Sequence, residues 1–378
     1  MSLTVLQVLE ATEGGTRRHL EDLVSALDPA AFRAALAVSF RRAGSSRDAD
    51  LSRYAARGVE VSEVPMRRAI SPLADAASLA RLVRCVRRVR PDVIHAHSSK
   101  AGFLARLAGA WCRVPVVYTP HVFPFLMGCG KRRRSLYRLL ERSARGLTAA
   151  LIAVSEEERA AALELGYAAE RVFLIRNGVA GAEEAEEAPV RVREAGSLTV
   201  GFFGRLSPQK GPDLLLEAAA AVVTRLPQVS FRLYGDGELA KPLRLQAERR
   251  RLGPHVSFMG ACRSDEIMAR MREVDVVAVP SRWEGCPYVV LEAFEAGVPV
   301  VAASVGGVPE LIRHGENGML AVPGSAEALE DGLLDLLRDP GKRRRLAEGG
   351  RASLGGNRLA DMAASTADVY RAVARASR

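Results

Sequence analysis

Short apolar runs of strand length alternate with segments of helical period along this chain, and the alternation runs twice. Thr4–Leu9 and Ala34–Ser39 read as strands. Between them Arg17–Leu27 places Leu20, Leu23, Val24 and Leu27 on one helical face. Leu79–Val89 does the same with Leu79, Leu82, Val83 and Val86, while Arg81, Arg84 and Arg88 share another face. Pro91 stops that helix, and strands follow at Val93–His95, Val114–Thr119 and Ala149–Val154. The pattern restarts at Leu198–Phe203 and continues through Ser230–Tyr234, His255–Met259, Val274–Val279 and Val298–Ala302. Strands apolar throughout and separated by helices belong to parallel sheets covered on both faces. The expectation is an α/β fold of two doubly wound, Rossmann-like domains facing a cleft.

A length of 378 residues fits two domains of similar size. The expected boundaries are 1–180 and 181–358. The acidic, alanine-rich stretch at 180–197, broken by Pro189, reads as the crossing between them. Leu359–Ala376 is helical in pattern and is expected to pack back on the first domain. The first apolar run, Leu3–Leu9, has no basic segment before it and reads as a strand, not a signal peptide. No run approaches the ~18 apolar residues of a spanning helix. A soluble, cytoplasmic protein is therefore expected.

Five scattered cysteines without a C-x-x-C pair argue against a disulfide framework or a cysteine zinc site. Cys286 reads as a small loop filler, since no neighbouring motif supplies a base. The net charge of +10 is unevenly placed. Residues 1–180 hold 28 Lys/Arg against 17 Asp/Glu, and residues 181–378 hold 26 against 27. Such asymmetry points to an anionic partner of the first half, or to an arginine-rich compositional bias.

The segment from Pro280 to Leu311 carries the most chemistry. Glu284 and Glu292 stand eight positions apart, with Val289, Val290 and Leu291 between them and Gly297–Pro299 after them. That spacing predicts Glu284 on a loop and Glu292 on the first turns of a short buried helix. A loop feeding a helix N-terminus suits an anion, whereas carboxylates suit sugar hydroxyls. Gly204-Arg205-Leu206-Ser207-Pro208-Gln209-Lys210-Gly211 follows another strand, where Arg205 and Lys210 can converge on a diphosphate. Gly235, in Tyr234-Gly235-Asp236-Gly237-Glu238, fits a turn beside a base or ribose, or a simple Asp-Gly turn.

In the first half, Gly14-Gly15 sits between the first strand and first helix, without a G-x-G-x-x-G fingerprint. Paired glycines there let a ligand approach the backbone or simply make a tight turn. His121, after Val114–Thr119, can serve a sugar hydroxyl or an oxygen near a reacting carbon, or be structural. His95 and His97 project the same way from a strand and could line an acceptor site, but the spacing offers no third metal ligand. Asp48-Ala49-Asp50 has the look of a metal-gripping pair, yet it reads as a solvated loop. Lys131, Arg132, Arg133 and Arg134 precede a helix from Ser135 to Leu147. With apolar Phe123, Phe125, Leu126 and Met127 nearby they suit an anionic membrane surface, or form a solvated charge run. Few aromatics interleave with these cations, which disfavours nucleic acid.

These motifs, together with TPHVF and RNGV at 176–179, resemble the family 4 glycosyltransferases of the two-domain GT-B fold over most of the chain. The resemblance implies retaining transfer of a hexose from a nucleotide diphosphate sugar, with no bound metal and no further cofactor. Carried over by position, Arg205 and Lys210 hold the diphosphate. Glu284 binds the donor hexose, Glu292 the ribose, and His121 the hexose near the reacting centre. Gly15, Gly204, Gly235, Gly285 and Val289 complete the donor site. Gly14, Gly15, His95 and His97 lie on the acceptor side. Whether retention proceeds by same-face attack or a covalent intermediate stays open. Family members commonly carry Phe-Gly where Cys286-Pro287 stands here, so a donor contact through the N–H at 287 is lost, because proline has none. The expected partners are a nucleotide sugar, uridine preferred over guanosine, and a saccharide or polyprenyl-diphosphate-linked acceptor at the inner membrane face. The rival readings are a sugar-nucleotide epimerase of the same fold and a non-catalytic sugar-nucleotide-binding subunit.

Overall fold

The computed structural model describes residues 2–10, 14–41, 47–181, 190, 192–193, 196–263 and 265–376, with the side chains at 47–50 and 53 left aside. The chain divides into two compact units. One contains residues up to Asn177 together with the segment from Leu359, and the other is Gly178–Arg358. Most of the acidic crossing segment lies outside the described residues.

The first unit is a seven-stranded sheet. Its strands are β1 (Leu3–Leu9), β2 (Phe32–Val38), β3 (Glu60–Glu63), β4 (Val93–His97), β5 (Val116–Thr119), β6 (Ala150–Ala153) and β7 (Val172–Leu174), in the order β3-β2-β1-β4-β5-β6-β7. Every pairing is parallel. One face packs under the helices Pro72–Val89 and Ser99–Cys112 through Leu82, Val86, Leu104 and Ala108. The other face, including Val5, Val93, Val117 and Ile152, is covered by the helix Leu359–Ala376 through Met362, Ala363 and Tyr370. The last 18-residue helix thus completes the core of the unit where the chain began.

The second unit is a six-stranded parallel sheet of β8 (Thr199–Phe203), β9 (Ser230–Tyr234), β10 (Val256–Gly260), β11 (Val276–Val279), β12 (Val300–Ala303) and β13 (Met319–Ala321), in the order β10-β9-β8-β11-β12-β13. Its core joins Val200, Phe231, Val276 and Val301 to Leu215, Leu333 and Leu336 of the helices Pro212–Arg225 and Ala326–Arg338. Both sheets reverse strand order beside their first strand, between β1 and β4 and between β8 and β11. At such switch points the loops leaving the strand ends splay apart and make a crevice for ligands.

Three local expectations need correction. Asp48-Ala49-Asp50 lies in a helix, Arg47–Ala56, and not in a loop. Lys131 to Arg134 form the first turn of the helix Lys131–Ala144, because extended Gly130 starts it a turn early. Phe123 and Phe125 are not an exposed apolar partner for those cations. They stack at 5.0 Å and are buried with Tyr118 and Leu151. The apolar side chains exposed on that basic helix are Leu136 and Leu139. Among the described residues, no helix is long and apolar enough to cross a membrane.

Candidate active site

In the second unit the loops after β8, β9, β11 and β12 are stitched into one surface. Arg282 N–H donates to Gln209 O at 2.7 Å, and the Arg282 guanidinium reaches Pro208 O at 2.8 Å and both Asp213 carboxylate oxygens. Leu206 N–H donates to Asp236 O, binding the β8 loop to the β9 turn. Gly235 and Gly306 make this contact possible. A Cβ on Gly235, at φ 150°, would lie 1.9 Å from Gly204 O; one on Gly306, at φ 54°, would lie 1.8 Å from Glu284 O. No side chain fits at either place, and both backbones favour glycine.

Lys210 and Glu284 meet across the β8–β11 switch point. Lys210 Nζ donates to Glu284 Oε1 at 2.5 Å, and Ser281 Oγ donates to the same oxygen at 2.7 Å. Glu284 is 5% exposed, whereas the Lys210 side chain keeps 23% of its surface. A nearly buried carboxylate is therefore neutralised by a cation whose head still reaches solvent. The two sequence motifs, 74 positions apart, form one charged constellation. Gly204 and Arg205 are half-buried on the same loop. Gly285 is buried beside Glu284. Glu292 and Val289 lie on the helix Tyr288–Ala296, which begins right after Pro287 and ends at left-handed Gly297, as the spacing required. Both are buried, and so is Cys286. Gly235 joins the site through its contact with Gly204.

The first unit gathers a cluster that the sequence only partly disclosed. His19 comes from the helix Gly14–Ala26, His95 and His97 from β4, and His121 from the segment after β5. These are four of the six histidines in the chain. His97 Nδ1 lies 3.2 Å from His121 Nε2, and His97 Nε2 is 2.9 Å from Gln7 Oε1. His19 Nδ1 is 2.9 Å from Asn177 Oδ1. His95 bonds Tyr370 Oη at 2.6 Å and Thr119 Oγ1 at 2.8 Å, fully buried, so it supports the cluster and lines no open surface. His97 is equally buried. The expectation that both line an acceptor site is corrected for this reason. Gly14 and Gly15 are exposed and begin the helix that carries His19.

Burial lowers the pKa of His19 to about 4, although its bond to Asn177 pulls the other way. Burial, then the neighbouring imidazoles, hold His95, His97 and His121 well below the ordinary histidine range. The four rings are neutral at physiological pH. His121 and Val122 both have positive φ, 51° and 79°. For a β-branched residue this is costly and persists only where neighbours enforce it. Glu158 does so: Val122 N–H donates to its Oε1 at 2.6 Å and Val154 N–H to its Oε2 at 2.8 Å. Burial pushes the Glu158 carboxyl up to about 7 against these two donors. His19, Gln7, Asn177, Tyr370 and Glu158 escaped the sequence reading. Only Asn177, inside the RNGV motif, carried a signal.

Comparison with known proteins bears on both units. Residues 14–178 match the family described as glycosyl transferase 4-like domain, and residues 184–353 match glycosyl transferases group 1. An Escherichia coli UDP-Gal:alpha-D-GlcNAc-diphosphoundecaprenol alpha-1,3-galactosyltransferase is 31% identical over 265 residues, 67% of this chain and 68% of that protein. A Streptomyces bingchenggensis D-inositol 3-phosphate glycosyltransferase is 33% identical over 304 residues, 74% of this chain and 66% of its own length. Among solved structures, Anabaena Alr3699/HepE in complex with UDP and glucose superposes with a TM-score of 0.79 at 25% identity, covering 98% of this chain and 100% of that one. The chain therefore belongs to the family 4, group 1 glycosyltransferases, and is a glycosyltransferase of the GT-B fold.

Proposed function

We propose that this enzyme moves a hexose, with retention at the anomeric carbon, from a nucleoside diphosphate sugar to a saccharide or polyprenyl-diphosphate-linked acceptor during polysaccharide biosynthesis. The observation that carries the donor half is the Lys210–Glu284 contact of 2.5 Å at the β8–β11 switch point. An ammonium has three N–H donors, so one bond to Glu284 leaves donors for a phosphate oxygen. The bonds from Lys210 and Ser281 both fall on Glu284 Oε1, which supports a role for Oε2 in taking a sugar hydroxyl. Arg205 joins Lys210 on the diphosphate, where fixed cations offset the charge that grows on the leaving group. Glu292 takes the ribose hydroxyls and His121 a hexose oxygen. Gly15 leaves its backbone open to the acceptor side. Transfer on this scheme uses protein cations in place of a bound metal.

Uridine is preferred over guanosine. Its support is the E. coli relative, whose name specifies UDP-Gal, and HepE, solved with UDP and glucose. The lipid-linked acceptor is supported by the same relative's diphosphoundecaprenol substrate and by the basic helix Lys131–Ala144 with exposed Leu136 and Leu139. That helix is assigned to the cytoplasmic membrane face. The decisive assay incubates the enzyme with a panel of UDP-, GDP- and ADP-hexoses, with and without a polyprenyl-diphosphate-linked sugar. Acceptor-dependent release of UDP with an α-linked product is expected from an α-configured donor. Isomerised donor formed without acceptor would instead establish an epimerase and overturn the proposal.

A further inference from the structure

We propose that His19, His97 and His121 form a binding site for a borderline transition-metal dication of the Zn2+ class, and that the ion inhibits transfer. The three side chains arrive from a helix, a strand end and the segment after another strand. One ligand nitrogen from each lies within 4.8 Å of the other two. His97 Nδ1 and His121 Nε2 are 3.2 Å apart. Two imidazole nitrogens bound to one tetrahedral Zn2+ at their usual bond length stand about 3.3 Å apart, so this pair is already spaced as ligands.

The second nitrogens make the stronger case. A histidine ligand is normally aimed by donating its other N–H to an oxygen, which fixes the tautomer and turns the free lone pair on the ion. His19 Nδ1 faces Asn177 Oδ1 at 2.9 Å, leaving Nε2 as its ligand atom. His97 Nε2 faces Gln7 Oε1 at 2.9 Å, leaving Nδ1. The Gln7 amide is held in that sense because its Nε2 donates to Tyr370 Oη at 3.0 Å. Tyr370 Oη is itself hydrogen-bonded to His95 Nδ1 at 2.6 Å. The outer contacts on two of the three ligands are thus present in buried protein. His121 is held by the Glu158 bond to the next residue. It is also the partly exposed member of the three, which gives an ion and its fourth ligand a way in. An all-imidazole set suits Zn2+, Cu2+ or Ni2+, and not Mg2+ or Ca2+, which take oxygen.

Inhibition rests on the reading that His121 serves the hexose, because an ion on Nε2 withdraws that nitrogen and fixes the ring. The ion is a competitor of transfer and no part of its chemistry.

The test uses Co2+ and Zn2+ with the full chain. Co2+ should give the visible absorption of a tetrahedral nitrogen site, and Zn2+ should displace it at one equivalent. Direct titration of His19→Gln should show affinity at least ten-fold weaker. Asn177→Ala, which touches no ligand atom, should weaken binding about 10–100-fold. His255→Ala should bind as the native chain does, and circular dichroism confirms that each variant is folded. A sulfur-to-cobalt charge-transfer band, or unchanged affinity in His19→Gln, would overturn the site. Stoichiometric Zn2+ should abolish hexosyl transfer while UDP still binds. If Zn2+ binds through the three histidines and transfer continues undiminished, inhibition is refuted together with the hexose role of His121, while the donor assignment of Lys210 and Glu284 stands.

Discussion

Lys210→Met and Glu284→Gln, singly and together, test whether the two motifs act as one unit. In Lys210→Met the nearly buried Glu284 carboxylate keeps only the Ser281 hydroxyl on Oε1. Breaking a fully buried ion pair costs about 3–5 kcal/mol; with 23% of the Lys210 side chain exposed, about 1–3 kcal/mol of fold stability is expected to go. On catalysis the cation should count for more. Removing one preorganised charge at a developing anion costs about 10²–10³ in kcat, or about 3–4 kcal/mol. Glu284→Gln keeps the shape and one acceptor oxygen but removes the charge, and should lower kcat/KM by about 10²-fold through lost hydroxyl binding and a released lysine. Independent effects would add. Residues sharing a 2.5 Å bond should fall short of additivity by about 1–3 kcal/mol in the double variant. The assay is donor turnover under kcat/KM conditions, with urea unfolding beside it to separate stability from chemistry. Additivity within about 0.5 kcal/mol would show that Lys210 and Glu284 serve separate steps, and the charged-pair account of the donor site would fail.

The histidine cluster makes the first unit sensitive to acid. His19 has a folded pKa of about 4 against 6.5 unfolded, so its contribution is full above pH 6.5 and is lost as pH falls through 4. At about 1.4 kcal/mol for each unit, that one ring accounts for about 3 kcal/mol. Glu158 has the opposite sign: its contribution is full below 4.5 and is lost as pH rises through about 7. With three further lowered histidines the sum is destabilising on acidification, so the urea midpoint should drop between pH 7.5 and pH 5; a higher midpoint at pH 5 would contradict the neutral cluster. Gly306→Ala should cost more than about 2 kcal/mol and depress turnover further, because its Cβ meets the Glu284 carbonyl at 1.8 Å; a folded, fully active variant would remove the close-packed loop from the account. The helix Lys131–Ala144 should bind vesicles containing anionic lipid, and Leu139→Asp should weaken that binding several-fold. Equal binding to neutral vesicles would count against the arginine-rich turn.

The strands were legible because parallel strands are apolar on both faces, a pattern that needs no partner to be recognised. All ten of the strand positions read from period and composition fall on sheet strands; β3, β7 and β13 were missed because Glu60–Glu63 is a polar edge and Val172–Leu174 and Met319–Ala321 are only three residues long. Glu284, Glu292, Arg205 and Lys210 were legible because each motif sits on a loop or helix start that local spacing defines. Their contact was not, since it depends on β8 and β11 being neighbours across 74 residues. The histidine cluster was illegible for the same reason in stronger form. His95 and His97 show their shared face in the sequence, but His19 and His121 join them only when β1, β4 and β5 are laid side by side. Tyr370, 275 positions from His95, arrives with the last helix. The misplaced apolar partner of the basic turn has a simple cause. Phe123 and Phe125 lie in a loop, where periodicity says nothing of burial; each is claimed by the other's ring, and Phe123 by Tyr118 as well.

Calorimetric titration of UDP, GDP and ADP into the native enzyme and into Lys210→Met tests the donor assignment most directly. UDP should bind the native chain most tightly and lose at least ten-fold in affinity without Lys210. No binding of any of the three, or UDP affinity indifferent to Lys210, would contradict the claim that the β8–β11 crevice holds the diphosphate of a nucleotide sugar.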